Sequence, residues 1–161
     1  MDRLWSPWRL QYVTDTTPRT GCVFCDATRA SDEQSLIVSR GELAYVILNK
    51  YPYNNGHLMV VPYRHTSTFA TLEAPELNEL MRLTQRSEIA LRQAYRLEGI
   101  NIGVNLGKPA GAGIEEHLHI HLVPRWAGDT NFMTVVGETR VLPETLQATA
   151  ERLRATFEKL A

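Results

Sequence analysis

Three histidines, His117, His119 and His121, alternate with aliphatic residues in the segment EEHLHIHLVPRW, residues 115–126. Alternate residues of a β-strand point to the same face of a sheet, whereas on an α-helix this spacing would scatter the three rings around the axis. The segment therefore predicts a strand with an apolar face on a core and an imidazole face on a cleft. Because the chain has only five histidines, a polar face that is histidine-rich by chance is the weaker interpretation. A catalytic zinc held by same-face imidazoles is a further alternative.

The composition of the chain is that of one ordinary folded domain. Its 161 residues, 43% of them hydrophobic, are enough to bury a core, which predicts a single domain over residues 1–161. With 17 Lys+Arg against 18 Asp+Glu, the chain has no overall field that would attract nucleic acid or an anionic membrane, so a bound phosphate group needs a local site. The sequence has no apolar run of membrane-spanning length and no hydrophobic signal segment at its start. We therefore expect a cytoplasmic protein with neither nucleic acid nor membrane as a partner.

Hydrophobic patterning along the chain predicts an α+β fold. Runs rich in β-forming residues alternate with turn signals, and two segments have the periodicity of amphipathic helices. The predicted strands are residues 36–39, 43–49, 57–62, 100–106 and the histidine segment, and the predicted helices are residues 74–97 and about 143–160. The order β-β-β-α-β-β-α indicates a mostly antiparallel sheet with one long helix and a C-terminal helical segment, residues 140–161. Residues 1–20 are expected to form an extended arm.

The two cysteines of the chain form the pair Cys22 and Cys25 in GCVFCD. This spacing is too tight for a disulfide framework but suits a zinc site or a redox pair. A redox pair would be expected after a strand and at a helix start, whereas this pair follows TDTTPRTG, so metal binding is favoured over a redox or a merely buried reduced pair. A closed zinc site needs two more ligands, usually histidines, and outside the alternating segment the chain offers His57 and His65.

At this point the sequence resembles a known family. HLHIHLV fits the signature of the histidine triad family, and ILNKYPYNNGHLMVVPYRH resembles the family's upstream strand-turn-strand. The resemblance covers about residues 20–130 and, with PRWAGDTNF, is greatest to the bacterial branch that contains diadenosine tetraphosphate phosphorylases. It implies α+β homodimers that bind adenosine nucleotides and attack the α-phosphate of diadenosine polyphosphates, by hydrolysis or by phosphorolysis with phosphate as the acceptor. A nucleotide-binding regulatory or interaction module with little turnover is the alternative.

The resemblance also implies roles for individual residues. His119 is expected to be the nucleophile that forms a covalent nucleotidyl-imidazole and His121 to contact phosphate. His57 is expected to lie beside the triad, either with a catalytic role or as a half-buried histidine at the end of its strand. Neutral imidazole suits this chemistry because its ordinary pKa is about 6.5. The loop GKPAGAG can bring backbone N–H groups close to phosphate oxygens. The expected substrate-binding residues are Asn49 at the ribose, Asn105 at the phosphates, Gly111, Ala112, Gly113 and His121. Without the resemblance, a turn or cap role would be favoured for each asparagine.

A structural zinc is implied by the same resemblance. Related proteins hold zinc with a Cys-x-x-Cys pair, a histidine after the VVP strand, and the first histidine of the triad. On this chain those positions are Cys22, Cys25, His65 and His117. Such a site is a closed Cys2His2 tetrahedron that does not borrow the nucleophile, and it gives His117 a structural task besides its place in the triad.

One departure from the family pattern concerns the acceptor of the reaction. Many triad hydrolases have a polar side chain, often glutamine, four residues before the first histidine, and a hydroxyl or similar group next to it. This chain has Gly113 and Ile114 at those positions. Neither side chain can hold a water molecule by a hydrogen bond, so the departure disfavours simple hydrolysis and favours phosphate as the acceptor.

Overall fold

The computed structural model describes residues 21–129 and 143–160, which are built around a five-stranded sheet. The strands are β1 (Ile37–Arg40), β2 (Ala44–Leu48), β3 (Leu58–Pro62), β4 (Gly99–Val104) and β5 (Ile120–Arg125), and the helices are α1 (Val23–Ala27), α2 (Asp32–Ser35), α3 (Ala74–Ala94) and α4 (Leu146–Lys159). The strand order is β1-β2-β3-β5-β4, and every neighbouring pair is antiparallel. The predicted α+β class and the predicted β1-β2-β3 meander are confirmed. The predicted arm, residues 1–20, lies outside the described residues, and the single domain over the whole chain stays a prediction.

Both faces of the sheet are buried at β2 and β3, and alternate residues of β2 show how. Val46 and Leu48 belong to the larger apolar cluster, which lies under α3 and α4. Tyr45 and Ile47 point the other way, into a smaller cluster that includes Phe24 of α1. Because each face excludes water, β2 and β3 are continuously apolar and show no polar alternation. The sheet thus has a helix side and an α1 side.

The long helix α3 begins where the periodicity predicts and ends three residues earlier than predicted. At its start the carboxylate of Glu76 accepts a hydrogen bond from the backbone N–H of Glu73, which forms a capping box. At its end Tyr95 adopts an extended conformation, which stops the helix. There the phenol of Tyr95 donates to Glu144 at 2.7 Å and its ring packs edge-on against Trp126. Tertiary contacts of one aromatic side chain therefore override the helical pattern.

The predicted start of the C-terminal helix is also wrong. The C-terminal helix α4 starts at Leu146, later than Pro143, because the hydroxyl of Thr145 accepts a hydrogen bond from the N–H of Ala148 and caps the helix there. The loop GKPAGAG contains a 3-10 turn at Lys108–Ala110. None of the helices within residues 21–129 and 143–160 has the length and apolarity needed to cross a bilayer.

The histidine segment becomes a strand later than predicted. Pairing with both β3 and β4 starts at Ile120, whereas the N–H of Leu118 donates at 2.6 Å to the carbonyl oxygen of Thr66, in the loop after β3. The alternation itself is kept, because Leu118 and Ile120 lie in the helix-side cluster. The imidazole face is not the open cleft that we expected: His117 and His119 are only 1% and 5% exposed.

Candidate functional site

The three alternating histidines lie together on the α1 side of the sheet. His121 belongs to β5, whereas His119 and His117 precede it. The ring centroids of His119 and His121 are 4.7 Å apart, and Phe24 lies against both His117 and His119, at 5.4 and 5.0 Å between centroids. The register of the sheet therefore brings together the residues that the alternation predicted, and α1 covers part of them.

The tautomer of His119 is determined by one hydrogen bond. Its Nδ1 lies 2.8 Å from the carbonyl oxygen of His117, and a carbonyl oxygen only accepts, so Nδ1 carries the proton. The neutral ring then has its lone pair on Nε2. Burial lowers the pKa of His119, which favours this neutral form. Such an imidazole can act as a nucleophile on phosphorus.

His57 and His121 form a hydrogen-bonded pair with a defined direction. The backbone N–H of Tyr53 donates to His57 Nδ1 at 3.1 Å, so His57 carries its proton on Nε2. That Nε2–H donates to His121 Nδ1 at 2.9 Å, which leaves the proton of neutral His121 on its Nε2. Burial, followed by the neighbouring His121 and His119, lowers the pKa of His57 to about 3. His57 is therefore a neutral donor that orients His121 as a hydrogen-bond donor in turn.

The turn that supplies the Tyr53 N–H is anchored to the end of β5 and to Asp129, which follows the strand. The side-chain amide of Asn54 donates to the Pro124 carbonyl oxygen at 3.1 Å and to the Asp129 carboxylate at 2.9 Å. The same carboxylate accepts two hydrogen bonds from Arg125, at 2.6 and 2.9 Å. Because the turn holds the Tyr53 amide that orients His57, these contacts also stabilise the hydrogen-bonded pair of His57 and His121. Sequence reasoning missed Asn54 and Asp129, for which the only signals are their places in YPYNNG and PRWAGD.

Two cysteines and two histidines form a group that could hold a metal ion. The ligand atoms of Cys22, Cys25, His65 and His117 all lie within 4.8 Å of one another. The Nδ1 atom of His117 is 3.3 Å from Cys22 Sγ and 3.6 Å from Cys25 Sγ, and His65 Nδ1 is 3.4 Å from Cys25 Sγ. These distances match the edges of a zinc-sized tetrahedron, which are about 3.3–3.8 Å for the usual Zn–N and Zn–S bond lengths. The predicted quartet is thus brought together.

The protonation of His117 agrees with a ligand role. Its Nε2 lies 2.8 Å from the carbonyl oxygen of Pro62, so Nε2 carries the proton and the lone pair of Nδ1 faces the two sulfur atoms. Burial lowers the pKa of His117, so the ring is neutral as a metal ligand must be. Burial and the neighbouring thiol of Cys22 raise the pKa of Cys25, and a bound cation would reverse that effect by stabilising the thiolate.

The two asparagines predicted to bind substrate lie at the ends of strands. The side chain of Asn49 accepts a hydrogen bond from the N–H of Tyr51 at 2.9 Å, which closes a local turn. Asn105 follows β4 by one residue and lies beyond the Val104–Ile120 pair, at the end of the sheet that carries His119.

The glycine-rich loop contains hydrogen bonds between its own backbone groups. The amides of Gly111 and Ala112 donate to the carbonyl oxygens of Lys108 and Gly107, at 2.9 and 3.3 Å. Gly113 is exposed. Of these three backbone positions, Gly113 is therefore the best candidate for contact with an anion, and the roles of the loop and of both asparagines stay predictions.

Comparison with known proteins identifies the family of this chain. The family model of the HIT domain matches residues 30–128. The chain is 44% identical over 164 residues to the AP-4-A phosphorylase of Mycobacterium tuberculosis, covering 97% of this chain and 84% of that protein. It is 33% identical over 92 residues to the bis(5'-adenosyl)-triphosphatase of Dictyostelium discoideum, covering 57% of this chain and 61% of that protein.

A solved structure shows the same fold. The Zn-bound histidine triad family protein from Mycobacterium smegmatis matches with a TM-score of 0.70 and 28% identity, over 87% of this chain and 95% of that chain. The HIT domain model, the relative that matches over 97% of this chain and the solved structure lead to one conclusion. The chain belongs to the histidine triad family.

Proposed function

We propose that this chain is a nucleotidyl-transfer enzyme that cleaves diadenosine polyphosphates, with diadenosine tetraphosphate as the leading substrate and His119 as the nucleophile. The observation that carries the proposal is the hydrogen bond from His119 Nδ1 to the His117 carbonyl oxygen, which puts the lone pair on Nε2. The similarity to an AP-4-A phosphorylase and to a bis(5'-adenosyl)-triphosphatase supports the choice of substrate class.

In the first half of the reaction, His119 Nε2 attacks the α-phosphorus. The bond from that phosphorus to its bridging oxygen breaks, and the electron pair leaves with ATP when the substrate is diadenosine tetraphosphate. The Nε2–H of His121, which His57 orients, stabilises the charge that develops on the leaving oxygen and keeps its proton. His119 keeps its Nδ1 proton on the His117 carbonyl oxygen, so the adduct is a nucleotidyl-imidazolium.

In the second half, an acceptor attacks the same phosphorus and the electron pair of the P–N bond returns to His119. Phosphate as the acceptor gives ADP, whereas water gives AMP and releases a proton to the solvent. Gly113 leaves space for a bulky anion and presents no side chain that could hold water, and Ile114 packs against the α1-side cluster. These features favour phosphorolysis. The ribose contact of Asn49 and the phosphate contacts of Asn105 and of the loop at Gly111, Ala112 and Gly113 belong to the same proposal.

The test combines product analysis with trapping of the adduct. Diadenosine tetraphosphate is supplied with and without phosphate, nucleotides are separated by chromatography, and the protein is quenched in alkali before intact-mass analysis. We expect ATP with ADP in phosphate, ATP with AMP in its absence, and a mass increase of one adenylyl group on the chain. His119→Ala should lower turnover by several orders of magnitude while nucleotide binding persists, because the nucleophile acts mainly in the transition state. Saturable binding without any adduct or turnover in the wild type would instead indicate a regulatory nucleotide-binding module.

The metal proposed for the Cys22, Cys25, His65 and His117 group is a structural zinc. Two thiols and two imidazoles are the donor set that zinc prefers, and the four ligand atoms, all within 4.8 Å of one another, would fill a tetrahedral site. The zinc would therefore take no part in the reaction itself. Both cysteines are free of disulfides, which suits the reducing cytoplasm where we expect the protein. Metal analysis of freshly purified protein should give about one zinc per chain.

Assembly as a homodimer is proposed through strand β4. This strand is at one edge of the sheet and pairs with β5. Ile102 lies between the half-buried Ile100 and Val104 but is itself 46% exposed, and Leu106 just beyond the strand is 47% exposed. An edge strand with uncovered aliphatic residues favours pairing with a second copy. Light scattering should give the mass of a dimer for the wild type and of a monomer for Ile102→Lys.

A further inference from the structure

Phe24 lies between Cys22 and Cys25, directly before Cys25, and its side chain points inward. Phe24 is 3% exposed, whereas its neighbour Val23 in the same short helix is 39% exposed. Of the two residues between the proposed zinc ligands, Val23 therefore faces solvent, whereas Phe24 enters the α1-side cluster.

The ring of Phe24 lies against two of the triad histidines. Its centroid is 5.0 Å from that of His119, with the planes tilted by 45°, and 5.4 Å from that of His117, with the planes nearly perpendicular at 70°. These are distances and angles at which aromatic rings attract each other. Phe24 thus borders the His119 imidazole on one side, while the carbonyl oxygen of His117 holds its Nδ1 at 2.8 Å.

The backbone of Phe24 is itself held in place. Its carbonyl oxygen accepts a hydrogen bond at 2.8 Å from the phenol of Tyr45, which is fully buried in β2. The N–H of Asp26 donates to the carbonyl oxygen of Cys22 at 2.9 Å, which closes the turn around the phenylalanine. A ring that is fixed through the sheet and through the cysteine turn has little freedom to move away from His119.

We propose that Phe24 is a positioning residue for His119: its ring, together with the His117 carbonyl group, holds the imidazole in the one rotamer that presents Nε2 to the nucleotide. The inference rests on the proposed function of His119. It also links the metal group to the reaction, because Phe24 is flanked by Cys22 and Cys25 and the carbonyl group belongs to the ligand His117. The metal group would then act on the nucleophile through the protein structure and without touching the substrate.

The kinetic test uses zinc-loaded protein with measured metal content. Phe24→Leu keeps an apolar side chain in the cluster but removes the ring. We expect it to keep about one zinc per chain and a KM within about 2-fold of the wild type, while adduct formation and kcat fall by about 10-fold or more, since small misplacements of reacting groups cost this much. Val23→Ala, on the exposed side of the same turn, is the matched control and should leave both constants unchanged. An unchanged rate of adduct formation in zinc-loaded Phe24→Leu would overturn the proposal.

A second readout does not depend on turnover. In zinc-loaded wild-type protein with isotope-labelled histidine, nuclear Overhauser effects should connect the ring protons of Phe24 and His119. In Phe24→Leu the His119 signals should broaden or double, while those of His57, which is held by Tyr53 and His121, should stay single. Absence of the Phe24–His119 effects would overturn the proposal even if the variant failed to fold. If the wild type shows these effects but forms no adduct, the proposed function fails and the packing of Phe24 on His119 does not.

Discussion

Replacing His57 by glutamine should make folding stability much less sensitive to acid between pH 7 and pH 5. In the folded protein His57 is fully buried, accepts the N–H of Tyr53 and donates to His121, and its pKa is lowered to about 3. In the unfolded chain its pKa is about 6.5. Above pH 6.5 the ring is neutral in both states and makes no pH-dependent contribution. As the pH falls below 6.5, the unfolded state takes up a proton that the folded state excludes, so stability is lost down to about pH 3.

The size of this effect follows from linkage. Each pH unit below the unfolded-state pKa costs about 1.4 kcal/mol of unfolding free energy, so acidification from pH 7 to pH 5 costs about 2 kcal/mol through His57. A glutamine at this position has no proton to take up, and its side-chain amide can still donate toward His121 Nδ1. The variant should therefore lose about 2 kcal/mol less than the wild type over the same interval.

The measurement is guanidinium unfolding of both proteins at pH 7 and pH 5, followed by subtraction of the two pH-dependent losses. Contributions from His117, His119 and the metal group occur in both proteins and cancel in this difference. If the wild type and His57→Gln lost the same stability, His57 would not be excluded from protonation in the folded state. The direction of the hydrogen bonds from Tyr53 through His57 to His121 would then be wrong.

Three further predictions concern the metal group, the acceptor and the turn behind the histidines. Cys25→Ser should lower the zinc content well below one per chain and lower the melting temperature, measured by metal analysis and thermal unfolding, because structural zinc contributes directly to folding. Gly113→Gln should raise the ratio of AMP to ADP in the presence of phosphate, because a polar side chain there can hold water; an unchanged product ratio would argue against a role of this position in acceptor choice. Asp129→Ala should cost about 1–3 kcal/mol of unfolding free energy in guanidinium titrations, because it leaves the amide of Asn54 and the guanidinium of Arg125 without their shared carboxylate; a loss near zero would contradict that anchor.

The parts of the fold that the sequence predicts are those with a long or regular pattern. The central strands and α3 have apolar runs or helical periodicity over many residues, and all were found. The helices α1 and α2 have five and four residues, too few for periodicity to be visible. The end of α3 depends on Tyr95, whose ring packs on Trp126, a residue thirty-one positions away that no local pattern connects to it.

The candidate site also has features that the sequence predicts and features that it does not. Spacing predicted that the alternating histidines share a face, and the resemblance predicted the Cys22, Cys25, His65 and His117 group, whose ligand atoms do converge. The tautomers could not be predicted, because each depends on a backbone group brought in by the fold: a carbonyl oxygen of Pro62 for one ring and the N–H of Tyr53 for another. The burial of the imidazole face was missed for a similar reason, since it is α1 that covers it.

The pairing of strand β5 determines where the protein can accept insertions and deletions. It is paired on both edges, where His121 lies opposite Met59 of β3 and opposite Gly103 of β4. Both pairings therefore fix its register. One residue inserted between His119 and Leu122 would exchange imidazole for leucine on the two faces and drive a polar ring into the helix-side cluster. The preceding loop, with its 3-10 turn and exposed Gly113, is under no such restriction. Evolution and engineering can therefore lengthen, shorten or reshape this loop while His119 stays in place.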